Sequence, residues 1–281
     1  MKRLTGKRHV GHAGTLDPFA SGVLPILVGR ATKVMEYLLD VSKTYLAEIE
    51  LGKNTDTGDI QGKVIEELPV TNITLDKIKE ALSHFSGQIL QVPHRYSALK
   101  YRGRPMYYWA RMGVNPELKP RQIIIYSLEL VKCNFPFFTM RVDCSKGTYI
   151  RSIARDIGEI LGCGAYLKSL IRERYGAFSL EEALSPDQLE EVIREGRQET
   201  YMYPLDYALT NVPAIILDYS ATVEVCKGKN IRAAHVKPEG QAGYCRAYSS
   251  DGAFVAVMRW VSETGEWHPE KVFYGQEISS I

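Results

Sequence analysis

A chain of 281 residues with 45% hydrophobic and 24% charged residues is long enough for two domains with buried cores, and its composition excludes disordered and fibrous classes. Its 35 basic and 33 acidic residues leave a net charge of only +2, so the overall charge gives no evidence for nucleic-acid binding. Five cysteines without a C-x-x-C pair argue against zinc ribbons and disulfide frameworks, and the basic N-terminal residues are followed by no apolar signal-peptide region. We therefore expect a cytoplasmic protein without a membrane span.

The first informative stretch is VGHAGTLDPFASGVL, residues 10–24, which combines glycines with a histidine and an aspartate. Gly11 and Gly14 allow a sharp backbone turn and a close approach to a ligand. The pattern predicts a rigid loop that presents His12 and Asp17. The residues alone leave two interpretations open, a functional loop or a tight turn whose aspartate caps the next segment.

Residues 32–40 predict a short helix, and residues 44–52 follow with strict alternation of apolar and polar side chains. This alternation is typical of a half-buried strand. Its apolar face comprises Tyr45, Ala47, Ile49 and Leu51, and its polar face Glu48 and Glu50. Nothing in the periodicity distinguishes Tyr45 from an ordinary core tyrosine.

Residues 147–162 predict a helix that ends at a glycine. Arg151 lies beside the apolar stripe of this helix rather than opposite to it. An arginine in such a place either extends to solvent or pairs with a carboxylate, and the spacing names no partner. The inward stripe comprises Ile150, Ile153, Ile157 and Ile160.

Strands and helices do not alternate regularly along the chain, which favours an α+β fold with a mixed, largely antiparallel sheet flanked by helices. From about residue 212 the pattern changes to short strands separated by turns. We therefore predict a larger domain at residues 1–211 and a small β-rich domain at residues 212–281.

Residues 95–122, here called the basic loop, contain a local cluster of positive charge that the net charge of the whole chain does not reveal. They carry seven basic residues and one acidic residue, with five aromatic residues interleaved. Cations bind phosphates and aromatic rings stack on unpaired bases, so this composition favours RNA contact over a merely solvated loop. The basic residues include Arg95, Lys100, Arg102, Arg104 and Arg111.

Together these stretches resemble the TruB family of bacterial tRNA pseudouridine synthases. Residues 11–33 resemble its catalytic motif, residues 43–52 its tyrosine strand, and residues 146–176 its arginine helix with the strand that follows. Residues 91–113 resemble the bacterial thumb insertion (about 93–122 here), with His94 where a second proline is usual. The C-terminal part is similar to a PUA-type RNA-binding domain. The strand with a K-P-x-G signature that normally precedes the catalytic motif is missing, so the resemblance predicts an N-terminally short chain.

The resemblance implies that the protein converts uridine 55 in the T-loop of tRNA to pseudouridine after flipping the base out of the loop. Asp17 would be the nucleophile, Arg151 would hold it ionised, and Tyr45 would stack on the base or move protons. His12, Tyr149 and Leu170 would contact the extruded nucleotide, and the basic loop would bind the RNA. An isomerisation needs no cofactor or metal. The resemblance further implies a monomer that binds the T-arm without a guide RNA, a protein partner or a membrane.

Two other functions compete with this interpretation. A non-catalytic RNA-binding or tRNA-folding protein could use the same surface, but it would not need Asp17. A nucleoside hydrolase could use an aspartate next to a sugar carbon. That class normally requires a second carboxylate or a calcium cluster, and the motifs show neither.

Overall fold

A computed structural model describes residues 1–97, 99–114, 116–232 and 243–274. The chain divides into two compact units, each built from separate segments. The terminal unit comprises Met1–Ala13, Ile26–Leu38 and Leu184–Ile281, and the central unit comprises Gly14–Pro25 and Leu39–Ala183. The predicted division at residues 211 and 212 stays a prediction.

The strands of the described residues are numbered in chain order. They are β1 (Val10–His12), β2 (Ser21–Gly22), β3 (Ile26–Val28), β4 (Lys43–Leu51), β5 (Lys53–Thr55), β6 (Val64–Glu67), β7 (Gly87–Gln91), β8 (Lys100–Tyr101), β9 (Arg104–Pro105), β10 (Arg121–Asn134), β11 (Phe137–Cys144), β12 (Ala165–Tyr175), β13 (Phe178–Ser179), β14 (Ala214–Leu217), β15 (Tyr244–Ser249), β16 (Phe254–Val261) and β17 (Glu266–Val272).

The helices are numbered in the same way. They are α1 (Lys2–Thr5), α2 (Leu75–Ser83), α3 (Met106–Arg111), α4 (Ile150–Leu161), α5 (Pro186–Arg194) and α6 (Tyr219–Cys226). Three 3₁₀-helices span Gly29–Leu38, Gln198–Tyr201 and Tyr207–Leu209. The first of them occupies the segment for which the sequence predicts a short helix. No helix in the described ranges is both long enough and apolar enough to cross a membrane.

The central unit is organised around a seven-stranded sheet in the order β13-β12-β4-β11-β10-β7, with the short β2 parallel to β12 and the other pairs antiparallel. Helices α2 and α4 pack on it, and a continuous apolar core lies between them and the strands. The terminal unit contains the four-stranded sheet β14-β15-β16-β17, which has its own core around Trp267. The predicted α+β class with a mixed, largely antiparallel sheet and a β-rich C-terminal part is confirmed.

Strand β4 shows where the alternation rule succeeds and where it fails. Ala47 and Ile49 are fully buried on the predicted face. Glu50, predicted on the polar face, is buried as well, because β4 is a central strand whose neighbours place Tyr166 and Phe137 directly opposite it. The prediction of an exposed Glu50 is wrong because alternation describes a sheet with one solvated face.

The buried Glu50 carboxylate is compensated by neighbouring donors. It accepts hydrogen bonds from the Tyr166 hydroxyl, from Lys53 Nζ at 3.2 Å and from Lys168 Nζ at 3.3 Å. Burial alone would raise the pKa of Glu50, but these hydrogen bonds together lower it below its ordinary value. A carboxyl whose pKa is lower in the folded state adds stability above its unfolded pKa and loses it as the pH falls.

We therefore expect Glu50→Gln to lower the free energy of unfolding at pH 7 by about 1–3 kcal/mol, since it removes a charged acceptor from buried donors. The difference from the wild type should shrink as the pH falls through the folded pKa of Glu50. Urea unfolding at pH 7 and in the acid range measures both values. Glu48→Gln, on the same strand, is the matched control, and a Glu50→Gln deficit that is independent of pH contradicts the prediction.

Helix α4 follows its predicted stripe for two turns. Ile150, Ile153 and Ile157 are buried, but Ile160 is 49% exposed. Ile160 follows the buried Ile153 by seven residues, which places the two side chains within about 20° of each other around the helix, so periodicity alone predicts the same environment for both. Ile160 lies in the last turn of α4, which ends at Leu161, and its predicted burial is wrong.

Candidate active site

Asp17 lies in a turn of the central unit, within residues 14–23, here called the Asp17 loop. The backbone N–H of Ala20 donates to the carbonyl oxygen of Asp17 at 2.9 Å and closes the turn. Gly14 and Gly22 have φ values of +65° and +108°, and a Cβ on either would lie 2.3 Å from an atom of β12. The two glycines therefore let the loop lie directly against this strand.

The carboxylate of Asp17 pairs with a buried arginine. Arg151, in the first turn of α4, is 5% exposed, and its Nη2 donates to Asp17 Oδ1 at 2.9 Å. Of the two alternatives that the sequence leaves open for Arg151, the structure shows pairing with a carboxylate. In a capping role the Asp17 carboxylate would accept a hydrogen bond from a backbone N–H. The ion pair shows that its partner is instead the side chain of Arg151.

Three further oxygens hold the Arg151 guanidinium. Nη2 also donates to the carbonyl oxygen of Tyr96 at 2.9 Å, and Nη1 donates to Asp59 Oδ2 at 3.2 Å and to the Thr57 carbonyl oxygen at 3.4 Å. With acceptors on several sides, the guanidinium has little freedom to rotate. Its orientation towards Asp17 is therefore fixed by the protein.

Sequence reasoning missed Asp59, which lies in a turn-rich loop between β5 and β6. Its Oδ1 accepts hydrogen bonds from the Thr57 hydroxyl at 2.7 Å and from the backbone N–H of Gln61 at 3.1 Å, while Oδ2 faces Arg151. Aspartates are common in turns, and Asp59 lies 92 residues from Arg151 in the chain. Its position in the sequence therefore did not indicate that it pairs with this arginine.

The pKa of Asp17 is raised above its ordinary value of 3.8, chiefly because the carboxyl is withdrawn from water. The charge and hydrogen bond of Arg151 act in the opposite direction, and the negative charge of Asp59 adds to the rise. Arg151 therefore reduces the effect of burial on Asp17 without cancelling it.

Tyr45 and Tyr149 lie within the electrostatic range of Asp17, whose charge contributes to the raised pKa of both phenols. Burial is the main cause, and it raises the pKa of Tyr45 to about 12. The side chain of Gln91 fixes Tyr149 just before α4, because its amide accepts from the Tyr149 N–H at 2.8 Å and donates to the Tyr149 carbonyl oxygen at 3.0 Å.

The remaining predicted pocket residues differ in their placement. Leu170, on β12, is buried opposite Ala47 in the core cluster against which Tyr45 packs. His12 is exposed at the end of β1 and belongs to the terminal unit. The structure thus brings Asp17, Arg151, Tyr45 and Tyr149 together.

The basic loop folds into a β8–β9 hairpin followed by α3. Arg95 and the hairpin residues Lys100, Arg102 and Arg104 are all exposed. At the tip, Arg102 has a φ of +47°, and its guanidinium lies 5.4 Å from the centre of the Tyr101 ring. The side chain of Arg111, the fifth predicted RNA-binding residue, lies outside the described part of the structure.

Comparisons with known proteins match this chain to one enzyme family. A model of the TruB family pseudouridylate synthase N-terminal domain matches residues 2–150, and a model of the tRNA pseudouridylate synthase B C-terminal domain matches residues 151–210. The Cbf5 chain of a solved Cbf5-Nop10-Gar1 complex is 25% identical with a TM-score of 0.72, over 96% of this chain and 78% of that one. The chain therefore has the fold of a pseudouridine synthase, an enzyme of the isomerase class.

Curated relatives show to which family of pseudouridine synthases the chain belongs. The tRNA pseudouridine synthase B of Dehalococcoides mccartyi strain CBDB1 is 42% identical over 277 residues, which cover 98% of this chain and 91% of the relative. The protein of the same name from Haemophilus influenzae is 37% identical over 284 residues, which cover 100% and 89%. The chain belongs to the TruB family of pseudouridine synthases.

Proposed function

We propose that this protein converts uridine 55 in the T-loop of tRNA to pseudouridine, with Asp17 as the nucleophile. The relatives that share about 40% of its residues over nearly their whole length carry the name tRNA pseudouridine synthase B. The observation that carries the mechanism is the ion pair between Asp17 and the buried Arg151. This pair provides a partly exposed carboxylate of fixed orientation next to two tyrosines.

In the reaction, the bond between C1′ of the ribose and N1 of uracil breaks, and a bond between C1′ and C5 forms. The C5 proton is lost and N1 gains a proton, so the atoms balance without a cofactor or metal. Asp17 assists by attacking the sugar or the base and leaving again. Tyr45 is a neutral phenol at pH 7, as an ordinary tyrosine is, and its raised pKa keeps it neutral at still higher pH; it stacks on the base or donates a hydrogen bond to it.

The target base must leave the T-loop to reach Asp17, which costs a few kcal/mol of stacking and pairing energy. Contacts between the phosphates and Arg95, Lys100, Arg102, Arg104 and Arg111 offset this loss. His12, Tyr149 and Leu170 hold the extruded nucleotide. The protein acts in the cytoplasm as a monomer on the T-arm, without a guide RNA or protein partner, and residues 212–281 form a PUA-like domain that adds RNA contacts.

Hydrolysis of the glycosidic bond is the competing reaction, because Asp59 supplies the second carboxylate that the sequence motifs lack. Both Asp59 oxygens are occupied by hydrogen bonds from Thr57, Gln61 and Arg151, and the side chain is 5% exposed. A carboxylate so enclosed is poorly placed to activate water. This observation favours isomerisation.

The decisive experiment incubates the protein with unmodified tRNA and maps pseudouridine with carbodiimide, while mass spectrometry follows the RNA. We expect one modified position, uridine 55, and an unchanged RNA mass. An abasic site identifies a hydrolase. Tight tRNA binding without modification supports the alternative of a non-catalytic RNA-binding or tRNA-folding protein.

The basic loop gives a separate prediction. Replacing Lys100, Arg102 and Arg104 together by alanine should weaken tRNA binding and reduce the slope of log K against log salt by roughly 0.7–0.9 for each phosphate that the protein no longer neutralises. Binding titrations over a salt series measure this slope. Replacement of the exposed lysines Lys77, Lys79 and Lys132 is the matched control. Equal slopes in both triple variants would contradict RNA contact by the hairpin.

A further inference from the structure

Arg172, near the end of β12, has no role in the mechanism described above, although it is one of the most deeply buried side chains. It is 1% exposed. Its Nη2 donates to the carbonyl oxygen of Gly14 at 2.7 Å, and its Nε donates to the carbonyl oxygen of Val23 at 2.8 Å. These carbonyls are the first and last of the Asp17 loop, so a single guanidinium holds both of its ends.

The backbone of β12 adds to this attachment. The N–H of Val23 donates to the carbonyl oxygen of Arg172 at 2.9 Å, and β2 pairs with Ile171 and Arg172. At the other end of the loop, Gly14 lies against the ring of Tyr175, which is 4.9 Å from the Arg172 guanidinium. Arg172 thus lies at the centre of the surface on which the Asp17 loop rests.

The same guanidinium reaches a second residue of the site. Tyr45 is the cross-strand neighbour of Arg172 in the β4–β12 pair, and the positive charge of Arg172 opposes the rise that burial causes in the pKa of the Tyr45 phenol. Arg172 therefore lies both against the Asp17 loop and beside the position of Tyr45 on the neighbouring strand.

Burial of a cation against neutral carbonyls is unfavourable compared with an apolar side chain of similar volume. Packing of the strand alone does not require it. A guanidinium has several donors in a fixed plane, which allows one side chain to hold the carbonyl oxygens at both ends of the loop at once.

We propose that Arg172 is a positioning residue that fixes the Asp17 loop on β12, beside the position of Tyr45, before substrate binds. The proposal rests on the function proposed above for Asp17 and Tyr45. It predicts a loss in the chemical step rather than in RNA affinity, since Arg172 itself is covered by protein.

The test compares Arg172→Met, which keeps the volume, with Arg172→Lys, which keeps the charge and one donor group. With saturating enzyme, we expect the single-turnover rate to fall about 100-fold in the methionine variant, because small displacements of reacting groups have effects of this size. The lysine variant should recover part of that loss. The tRNA Kd should stay within about threefold in both, and Arg174→Met on the same strand should keep the wild-type rate.

Hydrogen exchange of the free proteins gives a readout that needs no substrate. Peptides from the Asp17 loop should exchange faster in both Arg172 variants, while peptides from α4 keep their wild-type protection. Unchanged loop exchange, or a wild-type single-turnover rate, overturns the proposal. A loss of tRNA affinity as large as the loss in rate overturns it as well, because it indicates direct RNA contact.

These outcomes separate the two proposals. If the wild-type protein forms no pseudouridine, the proposed function fails, and loop exchange still decides whether Arg172 holds the loop. If Arg172→Met does not fold, the lysine variant, which retains the buried charge, is compared with the wild type in the same rate, affinity and exchange measurements. Its melting temperature is measured as well, to confirm that it is folded.

Discussion

Asp17→Asn is expected to abolish pseudouridine formation while leaving tRNA affinity within a few-fold of the wild type. Asparagine has the same shape and can still face Arg151, which keeps its hydrogen bonds to Asp59 and to the Tyr96 carbonyl oxygen. The substitution removes the proposed nucleophile, and a loss of at least about 10⁴-fold in the single-turnover rate is the expected size of that effect. Binding is largely retained because a nucleophile contributes little to ground-state affinity.

The matched control for this variant is Asp40→Asn, an exposed aspartate in the central unit that pairs with Lys146. It removes the same charge at a distance from the site and should leave both the rate and the affinity unchanged. Residual turnover of Asp17→Asn within 100-fold of the wild type would show that the carboxylate is not the nucleophile. A parallel loss of tRNA binding would assign Asp17 to recognition instead.

Arg151→Lys is expected to lower the rate at pH 7 by about 100-fold and to move the acidic limb of the pH–rate profile to higher pH. A lysine ammonium cannot reproduce the planar contacts of the guanidinium with both aspartates. Burial raises the pKa of Asp17 and Arg151 opposes that rise, so weakening the contact raises the pKa of Asp17 further. A smaller fraction of the enzyme then carries the ionised nucleophile at any pH near this pKa.

Single-turnover rates measured across the acid and neutral range provide the profile. Arg155→Lys, one turn further along α4, is the control. In the described residues the ion-pair partners of Arg155 are the neighbouring Asp156 and Glu159, so this variant leaves the contact with Asp17 unchanged. An Arg151→Lys profile with the wild-type acidic limb would contradict the role of Arg151 in the ionisation of Asp17. Lower activity at every pH with the same limb would indicate a structural defect alone.

Local patterns predicted most of the elements around the site. Alternation located β4, with Ala47 and Ile49 buried as expected, and the isoleucine spacing located α4. Local patterns do not reveal either error. Glu50 is buried because other strands cover it, and Ile160 is exposed in the last turn of α4 although it shares a helix face with the buried Ile153.

The candidate site was only partly accessible from the sequence. The resemblance to the family pointed to Asp17 and Arg151, but Asp59 and Arg172 were not singled out. Their importance depends on contacts between segments that are distant in the chain, 92 residues for Asp59 and Arg151 and 158 for Arg172 and Gly14. Propensity and periodicity describe neighbours along the chain, so they carry no information about such pairs.

Arg102, at the tip of the β8–β9 hairpin, relates the stability of the protein to its proposed RNA contact. Its φ of +47° lies in the left-handed region, where a residue with a Cβ is less stable than glycine by about 1 kcal/mol. Asn-Gly is the pair that such a two-residue turn favours, and here the chain has Arg102 and Gly103. A search for a more heat-resistant variant would choose asparagine at this position. That gain would remove a cation from the most prominent point of the hairpin, so thermostability and the proposed RNA contact favour different residues at this position.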